Sequence, residues 1–470
     1  MIRTFRRILA ASLLAAAALC AAAPAAAEDV ILHAFNWRYA DVTARADEIA
    51  RRGYRAVLVS PPLRSEGAPW YQRYQPQDYR VLHNPLGDRE DLQAAINALR
   101  ARGVAVHADV VLNHMANEAS QRIDLDYPGV RVLGQYLLES AQQARRYLFG
   151  DVGSNLFTAA DFHPARCIAD YNDPAQVRNG RLCGGAGDPG LPDLASTPRV
   201  QAAQREYLSR LRELGITGFR VDAAKHMDNA HLNAVFTPAI RNGATVYGEI
   251  ITGGGEGNGE YRLYLQPYLA ETDHAAYDFP LFHAVRNAFS FGARLDALVD
   301  PAARGQALPG ARAVTFTVTH DIPNNGIFRG LILDPVDETL AYAYVMGRAG
   351  GMPLVYSDNN ESNDNNRWNG AWRRDDLTRM IGFRNAMRRQ DMQVLSAGPC
   401  HLLFRRGLRG LVGINKCAEP VQAAIEVEAA GLPRFQRFRE LLAGGSLMIE
   451  SGPQTITLPP RAARMWQRGK

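Results

Sequence analysis

The stretch GFRVDAAKH, at residues 218–226, begins with a short apolar run and ends in charged and polar side chains. Runs of this kind, rich in β-branched and aromatic residues, predict strands. Helical patterns such as Asp88–Arg100 and Arg199–Leu214 lie between most of them. The eight runs are Val30–Trp37, Ala56–Ser60, Val104–Leu112, Gly218–Asp222, Thr245–Ile250, Ala275–Phe279, Ala313–Thr319 and Pro353–Ser357. This alternation predicts an α/β fold, a (β/α)8 TIM barrel.

The distances along the chain between these runs predict its division into domains. Most runs start about 26–48 residues apart, enough for one strand and one helix, but 114 residues separate Val104 from Gly218. We therefore expect a small inserted domain after the third strand. Further strand-like runs predict a C-terminal all-β domain: His401–Phe404, Leu411–Ile414, Ala423–Glu428 and Thr455–Leu458. The expected boundaries are 28–114 and 196–390 for the barrel, 115–195 for the insert and 391–470 for a C-terminal β-sandwich.

The first 27 residues have the composition of a secretory signal peptide. Arg3, Arg6 and Arg7 precede an apolar run that starts at Ile8, and small residues at 25–27 form a candidate cleavage site. The alternative is an uncleaved membrane anchor, since the run is almost long enough to cross a bilayer. We expect cleavage, and secretion to the periplasm or the medium.

The net charge excludes one class of partner. There are 53 Lys and Arg residues against 48 Asp and Glu, a charge of +5, and loss of the leader's three arginines leaves +2. A nearly neutral chain gives no electrostatic basis for binding nucleic acid. No segment after the leader is long and apolar enough to predict a membrane span. Lysines are scarce, at positions 225, 416 and 470 only, so Lys225 within the opening stretch stands out.

Four cysteines follow the leader: Cys167, Cys183, Cys400 and Cys417. Export would permit disulfides, and four cysteines allow three pairings. Pairing of near neighbours, which closes two short loops, is the favoured possibility. A zinc site is the alternative, but neither pair has the two-to-four-residue spacing of zinc ligands.

Three carboxylates are expected at one rim of the barrel, where function collects at the C-terminal ends of the strands. They belong to Asp222, Glu249 and Asp321. Arg220 shares a strand face with Asp222 and is expected to lower the pKa of that carboxyl. The apolar run before Glu249 is expected to raise its pKa, as suits a proton donor. Glycoside hydrolysis requires such a pair. Simple ion pairs at the barrel end, the alternative, explain one acid better than three.

Four segments resemble the signature regions of the α-amylase family of glycoside hydrolases. They are DVVLNH (109–114), GFRVDAAKH (218–226), GEI (248–250) and THD (319–321). The stretch WYQRYQPQDY (70–79) is similar to the aromatic lining of the family's cleft. The resemblance extends over essentially the whole chain after the leader, including the insert and the β-rich tail.

The resemblance implies a role for each matching residue. Asp222 matches the nucleophile, Glu249 the general acid/base, and Asp321 the third acid, which grips sugar hydroxyls and helps to distort the ring. The implied substrate-binding residues are Trp70, Tyr74, Gln75, His114, Arg220, Lys225, His226 and His320. Among these, Tyr74 would stack on the sugar at the cleaved bond, and Lys225 and His226 would lie on the product side. Core packing is the alternative for Trp70 and Tyr74.

The resemblance also implies a structural calcium ion and no chloride. The stretch 170–195 is similar to the family's calcium-binding segment, and the implied ligands are Asn113, Arg178 through its carbonyl, Asp193, and His226 through its carbonyl. Without the resemblance this Asp- and Asn-rich stretch would be an ordinary solvated loop. Chloride-activated members carry Asn and Arg where this chain has Thr319 and Leu354. We therefore expect chloride independence.

The resemblance, together with the leader, implies a secreted, monomeric enzyme of this family that cleaves internal α-1,4 bonds of starch, glycogen or maltooligosaccharides with retention of configuration. A maltooligosaccharide-forming or transglycosylating enzyme of the same family is an alternative, because the same three acids serve both reactions. A non-catalytic glucan-binding protein on the same fold is a further alternative. The expected partners include neither nucleic acid nor, after cleavage of the leader, a membrane.

Overall fold

The structure is a computed structural model that describes residues 29–139, 142–358 and 367–469. The predicted signal peptide, residues 1–27, lies outside the described residues. Among the described residues, no helix combines the length and the apolar composition that a membrane crossing requires.

Eight parallel strands close into a barrel, as predicted. They are β1 (Ile31–Ala34), β2 (Ala56–Val59), β3 (Ala105–Val111), β4 (Gly218–Asp222), β5 (Thr245–Gly248), β6 (Ala275–Tyr277), β7 (Ala313–Thr315) and β8 (Met352–Ser357). Each strand pairs with its neighbours in sequence, and β8 closes the barrel on β1 with Leu354 opposite Ile31. Several strands are shorter than predicted: β7 ends at Thr315 rather than Thr319, because the chain leaves the sheet before His320.

The helices surround the barrel and bury one face each. In Tyr39–Arg51, for example, the buried residues Val42, Ala46 and Ile49 recur at helical spacing. The α-helices are Tyr39–Arg51, Arg89–Arg100, Val130–Leu138, Gln143–Arg146, Pro174–Asn179, Pro198–Leu214, Asn229–Val235, Pro238–Arg241, Gln266–Glu271, Phe279–Phe289, Asp321–Asn324, Pro335–Gly347 and Asp375–Ala386. Shorter turns of 3₁₀ or π helix are Trp70–Tyr74, Ala159–Asp161, Ala224–His226, Tyr261–Leu265, Leu295–Leu298, Gly310–Arg312, Arg329–Leu331 and Ala371–Arg373.

A long, largely irregular segment lies between β3 and the helix Pro198–Leu214, where the insert is predicted. Its chain returns to the end of β3: the Leu194 N–H donates to the Asn113 carbonyl at 2.9 Å, and Asp193 forms an isolated bridge with His114. A disulfide joins Cys167 to Cys183. These contacts hold the segment beside the rim of the barrel that carries the predicted acids.

The C-terminal part is all-β, as predicted, but it contains eight strands rather than four. They are β9 (Met392–Ala397), β10 (His401–Arg406), β11 (Gly410–Asn415), β12 (Val421–Glu426), β13 (Gln436–Glu440), β14 (Ser446–Ile449), β15 (Pro453–Leu458) and β16 (Ala462–Arg468). Six form one sheet, while β12 and β15 form a second. One face of the larger sheet joins the main core, and the other packs with the small sheet around Leu411, Phe438 and Trp466. The second disulfide, Cys400–Cys417, confirms the pairing of near neighbours.

Candidate active site

Strand β4 supplies the centre of the site. All five of its residues are buried, and Arg220 and Asp222 project from the same face. The parallel register places Asp109 of β3 directly opposite Arg220. Gly218 begins the strand where the barrel interior is crowded, since a Cβ there would lie 2.3 Å from the His107 ring. The strand therefore begins with a residue that has no side chain and ends with the charged pair.

The fully buried Arg220 guanidinium contacts three carboxyl groups. Its Nη1 lies 2.8 Å from Asp109 and 2.8 Å from Asp222 Oδ1, while Nη2 contacts Glu249 Oε1. Glu249 also accepts a hydrogen bond from the Ala223 N–H at 3.2 Å. Ala223 has a left-handed backbone (φ 48°), which is unfavourable for alanine and is held here by its surroundings. One cation thus gathers three acids, and a strained turn directs a backbone donor at one of them.

Asp321 completes the acidic cluster from the loop after β7. It is the first residue of the short helix Asp321–Asn324, not the end of a strand as predicted. Its Oδ1 lies 3.5 Å from His320 Nε2, and its charge contributes to the raised pKa of both Asp222 and Glu249. The loop Phe316–Thr319 carries the chain across the rim, so Asp321 still reaches the acids of β4 and β5.

Burial is the largest influence on the pKa values of the four carboxyls in this cluster. It raises the pKa of Asp222 to about 7, although Arg220 lowers it, and the neighbouring Glu249 and Asp321 raise it further. Burial also raises the pKa of Asp109 to about 8 and raises the pKa of Glu249 and of Asp321. The predicted low pKa at Asp222 is therefore wrong in direction. The reason is the ratio of charges: four buried carboxyls lie in a cluster with one guanidinium, which contacts three of them, so the cluster favours retention of protons.

The predicted aromatic residues lie against His320. The Tyr74 ring stacks on the His320 imidazole at 5.3 Å between centroids, and its hydroxyl donates to Asp109 Oδ2 at 2.9 Å. Trp70 packs edge-on against His320 at 5.7 Å. His114 Nε2 lies 2.9 Å from the Tyr74 carbonyl. Tyr74 is buried, so the structure gives it packing contacts within the site as well as a position at the rim.

Gln75 and His226, two further predicted substrate-binding residues, have hydrogen-bond partners at the edge of the cleft. Gln75 accepts a hydrogen bond from the Asn117 N–H at 3.0 Å. His226 Nδ1 lies 3.2 Å from the Val177 carbonyl, which joins β4's loop to the insert. Burial lowers the pKa of His226 to about 3, so the ring is neutral at physiological pH. These contacts brace the walls of the cleft.

Lys225 is enclosed by groups that the sequence did not single out. Its Nζ lies 2.6 Å from Glu260 and donates to the Ile251 carbonyl at 3.0 Å. The rings of Tyr171, from the insert, and Tyr264 lie 5.3 and 5.2 Å from the ammonium. Only the scarcity of lysine signalled this position, because its partners come from three separate segments.

Three of the four predicted calcium ligands line one cavity between the insert and the barrel, and the fourth, Asp193, lies beside it in the chain. Asn113, Arg178 and His226 line one small cavity of about 20 Å³, and Asp193 joins the chain segment bonded to Asn113. Asp193 Oδ1 is buried and accepts no hydrogen bond from the described residues, while Oδ2 lies 2.6 Å from His163 Nδ1. Among the described residues, no group of three or more His, Cys, Asp or Glu side chains is arranged so that it could hold a metal ion. One carboxylate with amide and carbonyl oxygens is a donor set that fits a hard cation such as Ca²⁺.

The two residues on which the chloride prediction rests are both buried. Leu354 lies in β8 and is fully buried, and Thr319 is buried beside His320. Neither residue presents a cationic or amide donor toward Arg220. The sequence assigned no role to five residues of the site: Phe35, Asp109, Tyr171, Glu260 and Tyr264. Of these, only Asp109 carried a signal, as an acid within a buried strand of the first signature segment.

Comparison with known proteins identifies the relatives of this chain. Residues 40–242 match the model of the family described as Alpha amylase, catalytic domain. An Alpha-amylase of Aeromonas hydrophila is 51% identical over 439 residues, which cover 93% of this chain and 95% of the relative. An Alpha-amylase of Tribolium castaneum is 29% identical over 83% of this chain and 82% of that protein.

Solved structures share the fold at low sequence identity. A mutant α-amylase I of Eisenia fetida in complex with maltohexaose has a TM-score of 0.74 and 23% identity, covering 94% of this chain and 97% of that one. An α-amylase of Geobacillus thermoleovorans complexed with acarbose has a TM-score of 0.69 and 18% identity, covering 94% and 98%. At these identities the likeness establishes the architecture, namely the barrel with its β-rich tail.

Proposed function

Because the chain belongs to the α-amylase family of glycoside hydrolases, we propose that it cleaves internal α-1,4 bonds of starch, glycogen or maltooligosaccharides with retention of configuration. One observation carries this proposal: Asp222 and Glu249 contact the two terminal nitrogens of a single buried guanidinium. Retention requires two carboxyl groups about 5 Å apart. Because both carboxyls contact the same guanidinium, they lie near one another, and this proximity supports a retaining mechanism.

We assign Asp222 as the nucleophile and Glu249 as the general acid/base. An Asp222 oxygen attacks the anomeric carbon while Glu249 donates its proton to the glycosidic oxygen, which leaves with the electrons of the broken bond. The Glu249 carboxylate then removes a proton from water, and the water oxygen attacks the same carbon and releases Asp222. Two inversions at one carbon give net retention. The raised pKa of Glu249, caused by burial, suits its first role as an acid.

The remaining site residues would bind the sugar chain. Asp321, the third acid of the cluster, is proposed to grip hydroxyls at the cleavage point. His114, Arg220 and His320 would orient this sugar. Trp70, Tyr74 and Gln75 would form one wall, and Lys225 and His226 the product side. Maltohexaose bound to the Eisenia fetida protein, on the same fold, supports a linear glucan as the substrate.

We propose that calcium binds where the insert meets the barrel. Asp193 and Asn113 through side-chain oxygens, with the carbonyls of Arg178 and His226, would hold it. When bound, the ion supplies positive charge to the buried Asp193 carboxylate and ties two chain segments together. Its role would be structural. No chloride requirement is proposed, because Thr319 and Leu354 stand where the resemblance places the Asn and Arg of chloride-activated members.

Secretion is also part of the proposal. The leader has the features of a cleavable signal peptide. The disulfides Cys167–Cys183 and Cys400–Cys417 are those of a protein that folds in an oxidising compartment. The processed chain would act as a monomer on extracellular or periplasmic glucan.

Two measurements test the proposal. Freshly released sugar, followed by NMR, is expected in the α configuration, and a β product would refute retention. A time course of product lengths from amylose separates internal cleavage from the alternatives: early mid-length fragments indicate internal cleavage, and a single short product indicates end-wise release. Lengthened products would favour the transglycosylating alternative. A protein that binds glucan without releasing any product would be the non-catalytic alternative.

A further inference from the structure

The orientation of His320 is determined by ring packing rather than by hydrogen bonds. Among the described residues, His320 Nδ1 has no hydrogen-bond partner, and Nε2 has only Asp321 Oδ1 at 3.5 Å, beyond a good hydrogen bond. The imidazole is nonetheless almost fully buried. Something other than hydrogen bonding must therefore prevent the ring from rotating.

The His320 imidazole is clamped between two flat rings. Phe35 stacks at 4.7 Å between centroids with an interplanar angle of 24°, and Tyr74 stacks at 5.3 Å with an angle of 9°. His33 and Trp70 pack edge-on against the same imidazole at 5.3 and 5.7 Å. Stacked and edge-on contacts have preferred geometries, so together they restrict rotation about the side-chain bonds of His320.

Phe35 is itself rigidly placed at the end of β1. It is fully buried, and its N–H donates to the Ser357 carbonyl at 3.2 Å. The next residue, Asn36, turns the chain out of the strand with a left-handed backbone (φ 56°), and its N–H donates to Ser60 Oγ at 2.8 Å. Asparagine tolerates this conformation better than most residues. The turn therefore fixes the direction in which the Phe35 ring points.

We propose that Phe35 is a positioning residue that holds the His320 imidazole in the orientation in which it contacts the sugar at the cleaved bond. The inference rests on the substrate role proposed for His320. The sequence assigned no site residue to strand β1. The proposal places a positioning residue at the end of that strand. Phe35 itself need not touch substrate, because its ring is covered by His320, Trp70 and Tyr356.

The test is a double-mutant cycle on kcat/KM for maltoheptaose, with the variants Phe35→Leu, His320→Ala and their combination. Loss of the flat ring in Phe35→Leu is expected to lower kcat/KM about tenfold, mainly through kcat. In the His320→Ala background the same change should cost less than about twofold, because the residue it positions is gone. Equal losses in both backgrounds would show that Phe35 does not act through His320 and would overturn the inference.

Matched controls separate positioning from general destabilisation. Phe236→Leu removes another fully buried phenylalanine that packs on a histidine, His274, at 5.3 Å outside the cleft. It is expected to lower the melting temperature without changing kcat/KM, and a tenfold loss there would overturn the inference. Phe35→Met, which preserves more volume but no flat ring, replaces Phe35→Leu if that variant does not fold. If His320→Ala alone left kcat/KM unchanged, the substrate role of His320 would fail, and the inference with it.

Discussion

Arg220 in the barrel and Arg406 on β10 are both fully buried. Their guanidinium groups are stabilised by different kinds of partner. Arg406 donates to four main-chain carbonyls, those of Gly347, Arg348, Met387 and Gln390, at 2.7 to 3.3 Å. Arg220 contacts the carboxyls of Asp109, Asp222 and Glu249 instead. Carbonyl dipoles satisfy a guanidinium without adding charge, whereas carboxylates add more negative charge than one guanidinium offsets.

The different partners of Arg406 and Arg220 indicate which of the two sites is suited to catalysis. The main-chain carbonyls around Arg406 are neutral, and they link the C-terminal sheet to the segments that follow the barrel helices. At Arg220, burial raises the pKa of Asp222 to about 7; the guanidinium opposes this rise, and the neighbouring Glu249 and Asp321 carboxyls add to it. A cluster of this kind lowers stability in exchange for groups that can gain and lose protons near neutral pH.

The largest expected effect comes from Asp222→Asn. Loss of the nucleophile should lower kcat by about 10⁴-fold. A carboxyl whose pKa is raised by folding is destabilising at pH above that pKa, and the penalty disappears below the unfolded value near 4. Asp222→Asn should therefore raise the free energy of unfolding by about 1–3 kcal/mol at pH 8 and by less at pH 5. Calorimetry at both pH values measures this.

The matched control is Asp78→Asn. Asp78 is fully buried but has one guanidinium to itself, with Arg80 Nε at 3.0 Å and Nη2 at 2.9 Å, and it also accepts from Tyr136. Its loss should destabilise the protein by about 1–3 kcal/mol at pH 8. If both variants were destabilised alike, the surplus of acid around Arg220 would have no energetic consequence.

The two arginines can be compared directly by lysine substitution. An ammonium cannot span several partners as a guanidinium does. Arg220→Lys should lower kcat/KM by about 10²- to 10³-fold, since Asp222 and Glu249 lose their common partner. Arg406→Lys should leave kcat/KM unchanged and lower the free energy of unfolding by about 2–4 kcal/mol, because buried carbonyls lose donors. Activity loss in Arg406→Lys without destabilisation would contradict the division between the two sites.

Asp193 represents a third case, a buried carboxylate that forms no ion pair with an arginine among the described residues. Burial raises its pKa to about 6, although His163 opposes this, and its Oδ1 has no hydrogen bond from the described residues. If calcium supplies the missing charge, a chelator should lower the melting temperature. At calcium a thousandfold above Kd the stabilisation lost is about 4 kcal/mol. Added calcium should restore it and magnesium should not, and Asp193→Asn should abolish the response. A melting temperature indifferent to chelator would exclude this site.

The barrel was predictable because each strand is a buried run in a repeated pattern. Strand β4 begins and ends as GFRVDAAKH indicates, and the order of the eight strands follows from their succession along the chain. Half of the C-terminal strands were missed for a physical reason. In β13, QRFRE, only Phe438 and Glu440 are buried, so no apolar run appears. A strand that exposes one face to solvent is hard to distinguish from a loop.

The sequence predicted which acids form the site, but not the pKa values of those acids. The acids and Arg220 lie in recognisable segments, yet the pKa of Asp222 depends on how many carboxyls share one guanidinium, which only the fold decides. Phe35 was missed because its importance comes from a neighbour 285 residues away, as the numbering of Phe35 and His320 shows. No local pattern records such a contact.

A smaller effect, on the pH profile, follows from Asp321→Asn. The Asp321 charge raises the pKa of both Asp222 and Glu249, after burial and against Arg220. Asp222 must be ionised and Glu249 protonated, so activity is lost as pH falls through the first pKa and rises through the second. Removing the charge should move both limbs of the residual kcat/KM profile about 0.5–1 pH unit lower. The exposed Asp375→Asn serves as the control, and a shift to higher pH would contradict the assigned couplings.

The smallest expected effect comes from the two described lysines, which repeat the contrast between the arginines. Lys416 donates to the carbonyls of Ala288 and Ser290 at 2.7 and 3.2 Å, as Arg406 does to its carbonyls, whereas Lys225 pairs with Glu260 between two tyrosine rings. A planar guanidinium fits neither place well.

Lys225→Arg should therefore raise KM for maltoheptaose about threefold. The larger guanidinium would displace Tyr171 and Glu260, which surround Lys225 at the edge of the cleft. Lys416→Arg should lower the melting temperature by a few degrees and leave KM unchanged. Steady-state kinetics and melting curves on both variants separate the two. Unchanged kinetics in Lys225→Arg would mean that Lys225, like Lys416, contributes only to the stability of the fold. Arg220 would then be the one cation of these four that affects catalysis.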